Sequence, residues 1–221
     1  MAKELVQDLI CKRVALELRE GMLVNLGIGM PTQVAGHVPE GMTVFFQSEN
    51  GIIGMGARPP EGMEDRHLSD AGGAPVTALP GAAAFDSAFS FGLIRGGHVD
   101  MTVLGALQVD ERGLLANYMI PGKMVPGMGG AMDLVSGAKR VIIAMTHTAR
   151  GNPKIVRECT LPLTAVRPVS LIVTELAVIE PTPAGLVLKE RAPDVSVEAI
   201  RAATAATLLV QGEVPEMPLA A

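Results

Sequence analysis

Glu49 stands where a carboxylate could react. Thr43 to Phe46 reads as a short apolar strand that runs into Gln47-Ser48-Glu49-Asn50-Gly51 and then Ile52-Ile53-Gly54-Met55-Gly56. In an open α/β sheet, ligands bind beyond the carboxyl ends of the strands, so an acid between a strand and a Gly-rich segment is well placed to meet one. An ordinary glutamate, with a pKa of about 4.3, is ionised near pH 7. It can therefore attack as a covalent nucleophile without a general base. Attack on a thioester would expel a thiolate and leave an acyl–glutamyl anhydride, which requires exclusion of water and stabilisation of the tetrahedral oxyanion. Pattern alone does not separate this residue from an acid that merely turns the chain.

A second constellation could supply the oxyanion site: Met124-Val125-Pro126-Gly127-Met128-Gly129-Gly130-Ala131-Met132-Asp133-Leu134. Glycine lets backbone N–H groups approach a substrate closely, and the helix expected from Ala131 to Ser136 would turn its positive end toward the reacting centre. A glycine turn required only by packing would read the same way. The third is Asn25-Leu26-Gly27-Ile28-Gly29-Met30-Pro31, a loop able to cradle an amide or a carboxylate. It departs from the spaced glycines of dinucleotide binders, and no acid follows at the required distance, so NAD is rejected. His37, His67, His98 and His147 lack metal-ligand spacing, and no metal is expected. His98 is read as structural support behind the site. Gly-x-Ser-x-Gly is absent, and the methionines read as core filler.

These residues require a scaffold. The spacing predicts helices over 3–19, 32–37, 82–94, 131–136 and 196–207, the last capped by Ser196. Strands are predicted over 22–26, 43–46, 99–107, 114–117, 140–145 and 170–179, the last paired through Pro181–Gly185 with 186–188. Residues 57–75 and 121–130 read as loops. Helices and strands alternate, which predicts an α/β fold: one three-layer domain over 1–221 with a mostly parallel central sheet.

The bulk composition narrows the function. With 48% hydrophobic and 19% charged residues the chain can close a core without disulfides. Only 3% of residues are aromatic, which argues against a stacking platform for single-stranded nucleic acid. A net charge of −5 with no basic cluster makes nucleic acid and anionic membranes poor partners. No apolar run approaches the ~18 residues of a membrane span. Cys11 and Cys159 read as reduced thiols of a cytoplasmic protein.

Taken together and in order, Asn25–Gly29, Gln47–Gly51, Leu93-Ile94-Arg95-Gly96-Gly97-His98-Val99-Asp100 and Gly127–Leu134 resemble the B subunit of family I 3-oxoacid CoA-transferases, from about Cys11 to the C-terminus. The resemblance implies that CoA moves between an acyl-CoA (succinyl-, acetyl- or butyryl-CoA) and a 3-oxo acid such as acetoacetate. It makes Glu49 the nucleophile, carrying in turn an acyl anhydride and a glutamyl–CoA thioester, and Gly130 the oxyanion-hole amide. It makes Asn25 a contact to the pantetheine arm of CoA, with Gly27, Gly29, Asn50, Gly51, Gly127 and Gly129 around CoA and substrate. It implies no separate cofactor, since CoA is a substrate, and it implies a partner, the A subunit of a CoA-transferase, without which the chain would be inactive. The stretch Ile120–Gly127 and the strand Glu175–Glu180 look closest to acetate/butyrate–acetoacetate and succinyl–3-oxoacid enzymes. Thr146 stands before His147 where many relatives have Glu. Two alternatives remain open: an acyl-CoA hydrolase on the same scaffold, separated by acceptor dependence, and a non-catalytic CoA-binding regulatory protein, separated by CoA binding without a covalent adduct.

Overall fold

The computed structural model describes residues 3–123 and 127–220, so Met124, Val125 and Pro126 of the glycine segment lie outside the described residues. The chain opens with helix α1 (Lys3–Ala15), followed by strand β1 (Leu23–Leu26), a 3₁₀ helix (Met30–His37), β2 (Phe45–Ser48), β3 (Ile52–Met55), β4 (Ala78–Ala84) and helix α2 (Ser87–Arg95). Then come β5 (Met101–Leu104), β6 (Gln108–Asp110), β7 (Leu115–Ala116), α3 (Ala131–Gly137), β8 (Arg140–Ala144), β9 (Thr148–Ala149), β10 (Asn152–Pro153) and β11 (Ile155–Val156). The last elements are β12 (Leu171–Val173), β13 (Ala177–Thr182), β14 (Gly185–Arg191), α4 (Val197–Ala202) and β15 (Leu208–Leu209).

Ten strands form the main sheet in the order β15-β14-β13-β12-β8-β5-β1-β2-β3-β4. The five central strands, β12 to β2 in that order, are mutually parallel, whereas β2–β3, β3–β4, β12–β13 and β13–β14 are antiparallel. Alternation along the strands feeds two cores. Val141 and Ile143 of β8 pack with Ile94, Leu134 and Ile200 from α2, α3 and α4. Ile142 and Ala144 pack on the other face with Ile10, Cys11, Val14 and Val34 from α1 and the 3₁₀ helix. Helices therefore cover both faces, the third layer expected of a parallel sheet.

Several boundaries differ from expectation. Helix α1 ends at Ala15, and residues 16–18 wind on through i→i+3 bonds such as Glu17 N–H to Val14 O at 2.9 Å. The predicted helix over 82–94 is two elements. Ala83 and Ala84 pair with Ile53 and Ile52, and the helix starts only after Asp86, whose carboxylate accepts the Phe89 N–H at 2.8 Å. Sheet pairing overrides the helix propensity of the alanine run. The predicted strand over 170–179 breaks at Thr174, whose hydroxyl accepts the N–H groups of Leu176 and Ala177 and turns the chain back. Helix α4 stops at Ala202, because Leu208 and Leu209 leave to pair with Leu186 and Val187.

Candidate active site

The chain steps from β1 to β2 on one side and later adds β5 and β8 on the other. The carboxyl end of β1 is thus a point where strand order reverses, the usual place for a ligand in an open α/β sheet. Three polar side chains lie buried in register across it: Gln47 of β2, Asn25 of β1 and Thr102 of β5. Buried polar groups persist when they are hydrogen-bonded, and these form a chain. Ser90 Oγ of α2 accepts from Gln47 Nε2 at 2.9 Å, and Gln47 Oε1 accepts from Asn25 Nδ2 at 2.9 Å. Thr102 Oγ1 reaches Asn25 Oδ1 at 3.4 Å.

The chain ends on Glu49, whose Oε2 accepts from Asn25 Nδ2 at 3.0 Å. Glu49 is half-buried in the tight turn from β2 to β3, where Gly51 N–H bonds Ser48 O at 3.0 Å. Gly51 has φ +125°, and a Cβ there would overlap the Phe85 carbonyl, so only glycine fits between Glu49 and β4. Asn50 is exposed and donates to Ser69 O at 2.7 Å, while Ser48 Oγ accepts from Ala71 N–H at 2.8 Å. These bonds hold the 69–75 loop beside the site.

Gly130 closes the other side. It is buried at the start of α3, and a Cβ on it would stand 3.2 Å from Glu49 Cγ and 3.3 Å from Oε1. Its backbone therefore lies against the carboxylate. Helix α3 is fixed at both ends. Arg95 of α2 binds Asp133 at 2.7 Å, and the Arg167 guanidinium donates to the carbonyls of Val135, Ser136, Ala138 and Lys139, satisfying acceptors that a helix end leaves open.

Of the site residues expected from sequence, Asn25, Glu49, Gly51 and Gly130 come together. Gly27 donates to Val103 O at 2.8 Å, ending β1, while Gly29, Gly127 and Gly129 are exposed with positive φ. Asn25 is fully buried, and its side-chain amide donates to Glu49 and Gln47. His98 corrects an expectation, for it is exposed and precedes β5, at the amino end of the sheet, away from Glu49. Sequence reasoning gives no role to Gln47, Ser90 or Thr102. The available signal is a polar residue at an inward position of a short, otherwise apolar strand.

His147 is fully buried between Thr174 Oγ1 at 2.9 Å and Thr204 Oγ1 at 2.8 Å. Burial, assisted by nearby Lys154, pushes its imidazole down to about 4. Burial likewise pushes the Cys11 and Cys159 thiols up, to about 11 and about 12, so neither is a ready thiolate. Among the described residues, no group of three or more His, Cys, Asp or Glu is disposed to hold a metal, and no helix is long and apolar enough to cross a membrane.

Known proteins share this fold. An acyl-CoA transferase from Escherichia coli superimposes with a TM-score of 0.77 at 24% identity, over 96% of this chain and 43% of that one, which defines the fold as that of CoA-transferases. The coenzyme A transferase family model matches residues 8–203. The beta subunit of acetate CoA-transferase from Haemophilus influenzae is 54% identical, over 96% of both chains. The B subunit of succinyl-CoA:3-ketoacid coenzyme A transferase from Helicobacter pylori is 49% identical, over 93% of this chain and all of that protein. The chain belongs to the coenzyme A transferase family, as a B-type subunit of family I. Its activity is that of a CoA-transferase subunit.

Proposed function

We propose that the chain, acting as one domain over 1–221, is the glutamate-bearing half of a CoA-transferase that works through a covalent thioester on Glu49, in complex with an A subunit. The observation that carries this is the close grouping of Glu49, the Asn25 amide at 3.0 Å and the Gly130 backbone. Glu49 attacks the thioester carbonyl of the donor. The C–S bond breaks, CoA leaves as thiolate, and an acyl–glutamyl anhydride forms. The thiolate then attacks the glutamyl carbonyl, releasing the donor acid and leaving Glu49 bound to CoA. The acceptor carboxylate attacks that thioester and the same steps return acyl-CoA and free Glu49. No net water or proton is consumed.

Asn25 positions Glu49 rather than touching CoA. Its hydrogen bond fixes one carboxylate oxygen and leaves the other to attack, with the geometric restraint that such reactions need. Gly130 N–H is assigned to the oxyanion, where a preorganised donor is worth about 10²–10³ in rate. CoA is assigned to the loops Gly27–Gly29 and Gly127–Gly129, with Asn50. The relatives are named for acetate and for succinyl-CoA with a 3-ketoacid, so acetate, butyrate or succinate is proposed as donor acid and acetoacetate as acceptor. Both cysteines are free, as in a reducing compartment, and the enzyme is assigned to the cytoplasm.

Hydrolysis of the intermediate has one observation on its side: the isolated chain leaves Glu49 half open, and Ile28 in the loop after β1 is 71% exposed. Closure by the A subunit would exclude water. Glu49→Asp tests the nucleophile, because it keeps the charge but retracts it by one methylene. Turnover of the A–B complex should fall at least ~10²-fold; a rate within a few-fold of wild type would remove Glu49 from this role.

A further inference from the structure

Strands β1 (Leu-Val-Asn-Leu) and β5 (Met-Thr-Val-Leu) each carry a single polar residue, and these two stand in register with Gln47 of β2. Asn25, Gln47 and Thr102 are at most 1% exposed. A polar group buried without a partner is costly, and leucine or valine would fill such positions without that risk. Three polar residues side by side in the middle of the sheet therefore point to a task other than stability. Among the described residues no buried side-chain nitrogen or oxygen lacks a partner, the condition under which a buried polar network is rigid.

The network has a direction. Asn25 Nδ2 carries two N–H groups and faces three acceptors: Gln47 Oε1 at 2.9 Å, Glu49 Oε2 at 3.0 Å and the Gln47 backbone carbonyl at 3.3 Å. Turned over, the amide would set its own oxygen against those three. Gln47 thus selects the orientation that offers a donor to Glu49. From the strand on the other side, Thr102 Oγ1 donates to the Asn25 oxygen at 3.4 Å. Gln47 is held in its turn, since its Nε2 donates to Ser90 Oγ at 2.9 Å.

Ser90 extends the network to a helix. It lies one turn before Ile94 on the buried face of α2, and the same helix holds α3. A Cβ on Gly137 would overlap the Ile94 carbonyl, so the two helices meet backbone to backbone, and Arg95 reaches Asp133 at 2.7 Å. Helix α3 starts just after Gly130, whose backbone lies against Glu49. One helix therefore reaches both sides of the reacting centre: Glu49 through Ser90, Gln47 and Asn25, and Gly130 through α3.

We propose that Gln47, Ser90 and Thr102 are positioning residues for the transfer reaction, which act through the Asn25 amide to align Glu49 with the Gly130 backbone N–H, resting on the reading of Glu49 as nucleophile. Reacting groups must be held within about 0.5 Å and 10–20° of the productive geometry by the bonds behind them. Helix α2 is the common frame that does so here.

Gln47→Met keeps the length of the side chain and removes its polar end. In the A–B complex, rapid-quench mass spectrometry over a range of acetoacetyl-CoA concentrations gives the maximal rate of Glu49 adduct formation and the half-saturating concentration. The maximal rate should fall about 10-fold. Half-saturation should stay within about 2-fold of wild type, because an interaction that only orients the nucleophile does not bind substrate. Ser90→Ala should give a smaller loss of the same kind. Asn25→Ala separates this role from a structural one. Residues that act through one another are not additive, so Gln47→Met should change the rate of the Asn25→Ala enzyme by less than about 2-fold. Thermal melting checks each fold. If Gln47→Met or Asn25→Ala does not fold, Thr102→Val and Thr102→Ser replace them. Thr102→Val, which keeps the shape and loses the hydroxyl, should slow adduct formation, and Thr102→Ser should retain the wild-type rate. A wild-type maximal rate in folded Gln47→Met, a loss confined to half-saturation, or a loss of about 10-fold that persists in the Asn25→Ala background overturns the proposal. So do equal rates for Thr102→Val and Thr102→Ser. A wild-type complex that forms its adduct on another residue, or forms none, defeats the reading of Glu49 itself, and this inference with it.

Discussion

A methyl group added at Gly130 would lie 3.2 Å from Cγ, 3.3 Å from Oε1 and 3.4 Å from Cδ of Glu49. Ordinary carbon contacts lie at about 3.5–4.0 Å, so Glu49 must retreat by roughly 0.5 Å. The backbone at Gly130, φ −83° and ψ 0°, is one that alanine adopts. Folding should therefore be unharmed, and glycine-to-alanine changes at compatible positions add about 0.4–1 kcal/mol through the unfolded chain. Catalysis should suffer, because a misplacement near 1 Å can cost about 10²-fold. Half that displacement predicts a loss of about 10-fold or more in the rate of Glu49 thioester formation. Rapid-quench mass spectrometry gives the rate, and thermal denaturation gives the stability. A Gly130→Ala enzyme with wild-type adduct kinetics would refute the contact between Gly130 and the reacting carboxylate. A large fall in melting temperature would refute the separation of the two effects.

Gly51→Ala should act in the opposite way, on folding, since a Cβ there overlaps the Phe85 carbonyl and the left-handed φ is strained for alanine. A loss of about 3 kcal/mol is expected, a fall of roughly 6–12 °C in the melting midpoint; an unshifted midpoint would contradict it. Arg13→Met removes a buried guanidinium held by Glu190 at 2.6 and 2.8 Å and by Glu17 at 2.9 Å. Leaving those acids without it should cost about 3–5 kcal/mol in denaturant unfolding, and a change below about 1 kcal/mol would show the network to be unimportant. His147 titrates near 6.5 when unfolded but at about 4 when folded. The unfolded chain therefore binds its proton first, so this contribution to stability is full above pH 6.5 and is lost as pH falls to 4. Wild type should lose about 3 kcal/mol more than His147→Gln across that window; parallel pH–stability curves would rule this out.

The meeting of Glu49 and Gly130 is foreshadowed in the sequence by an acid after a strand and a glycine run before a helix. The alternation of elements likewise announces a layered α/β fold. The hydrogen bonds of Asn25 are not legible in the sequence. Its bonds to Gln47, Glu49 and Thr102 depend on the register of three adjacent strands, and register is a tertiary fact. The strand at Ala78–Ala84 reads in part as helix because alanine favours helix locally, and only the partners Ile52 and Ile53 reverse that preference. The break at Thr174 is hidden for a similar reason, as a hydroxyl accepting two backbone N–H groups does not show in an apolar run.

The most direct test of the account is peptide mass spectrometry of this chain, in complex with its A subunit, after mixing with acetoacetyl-CoA and no acceptor acid. The account predicts a CoA adduct on the peptide that contains Glu49, discharged when a carboxylate acceptor is added. An intact complex that binds CoA yet carries no adduct, or carries it on another residue, would contradict it.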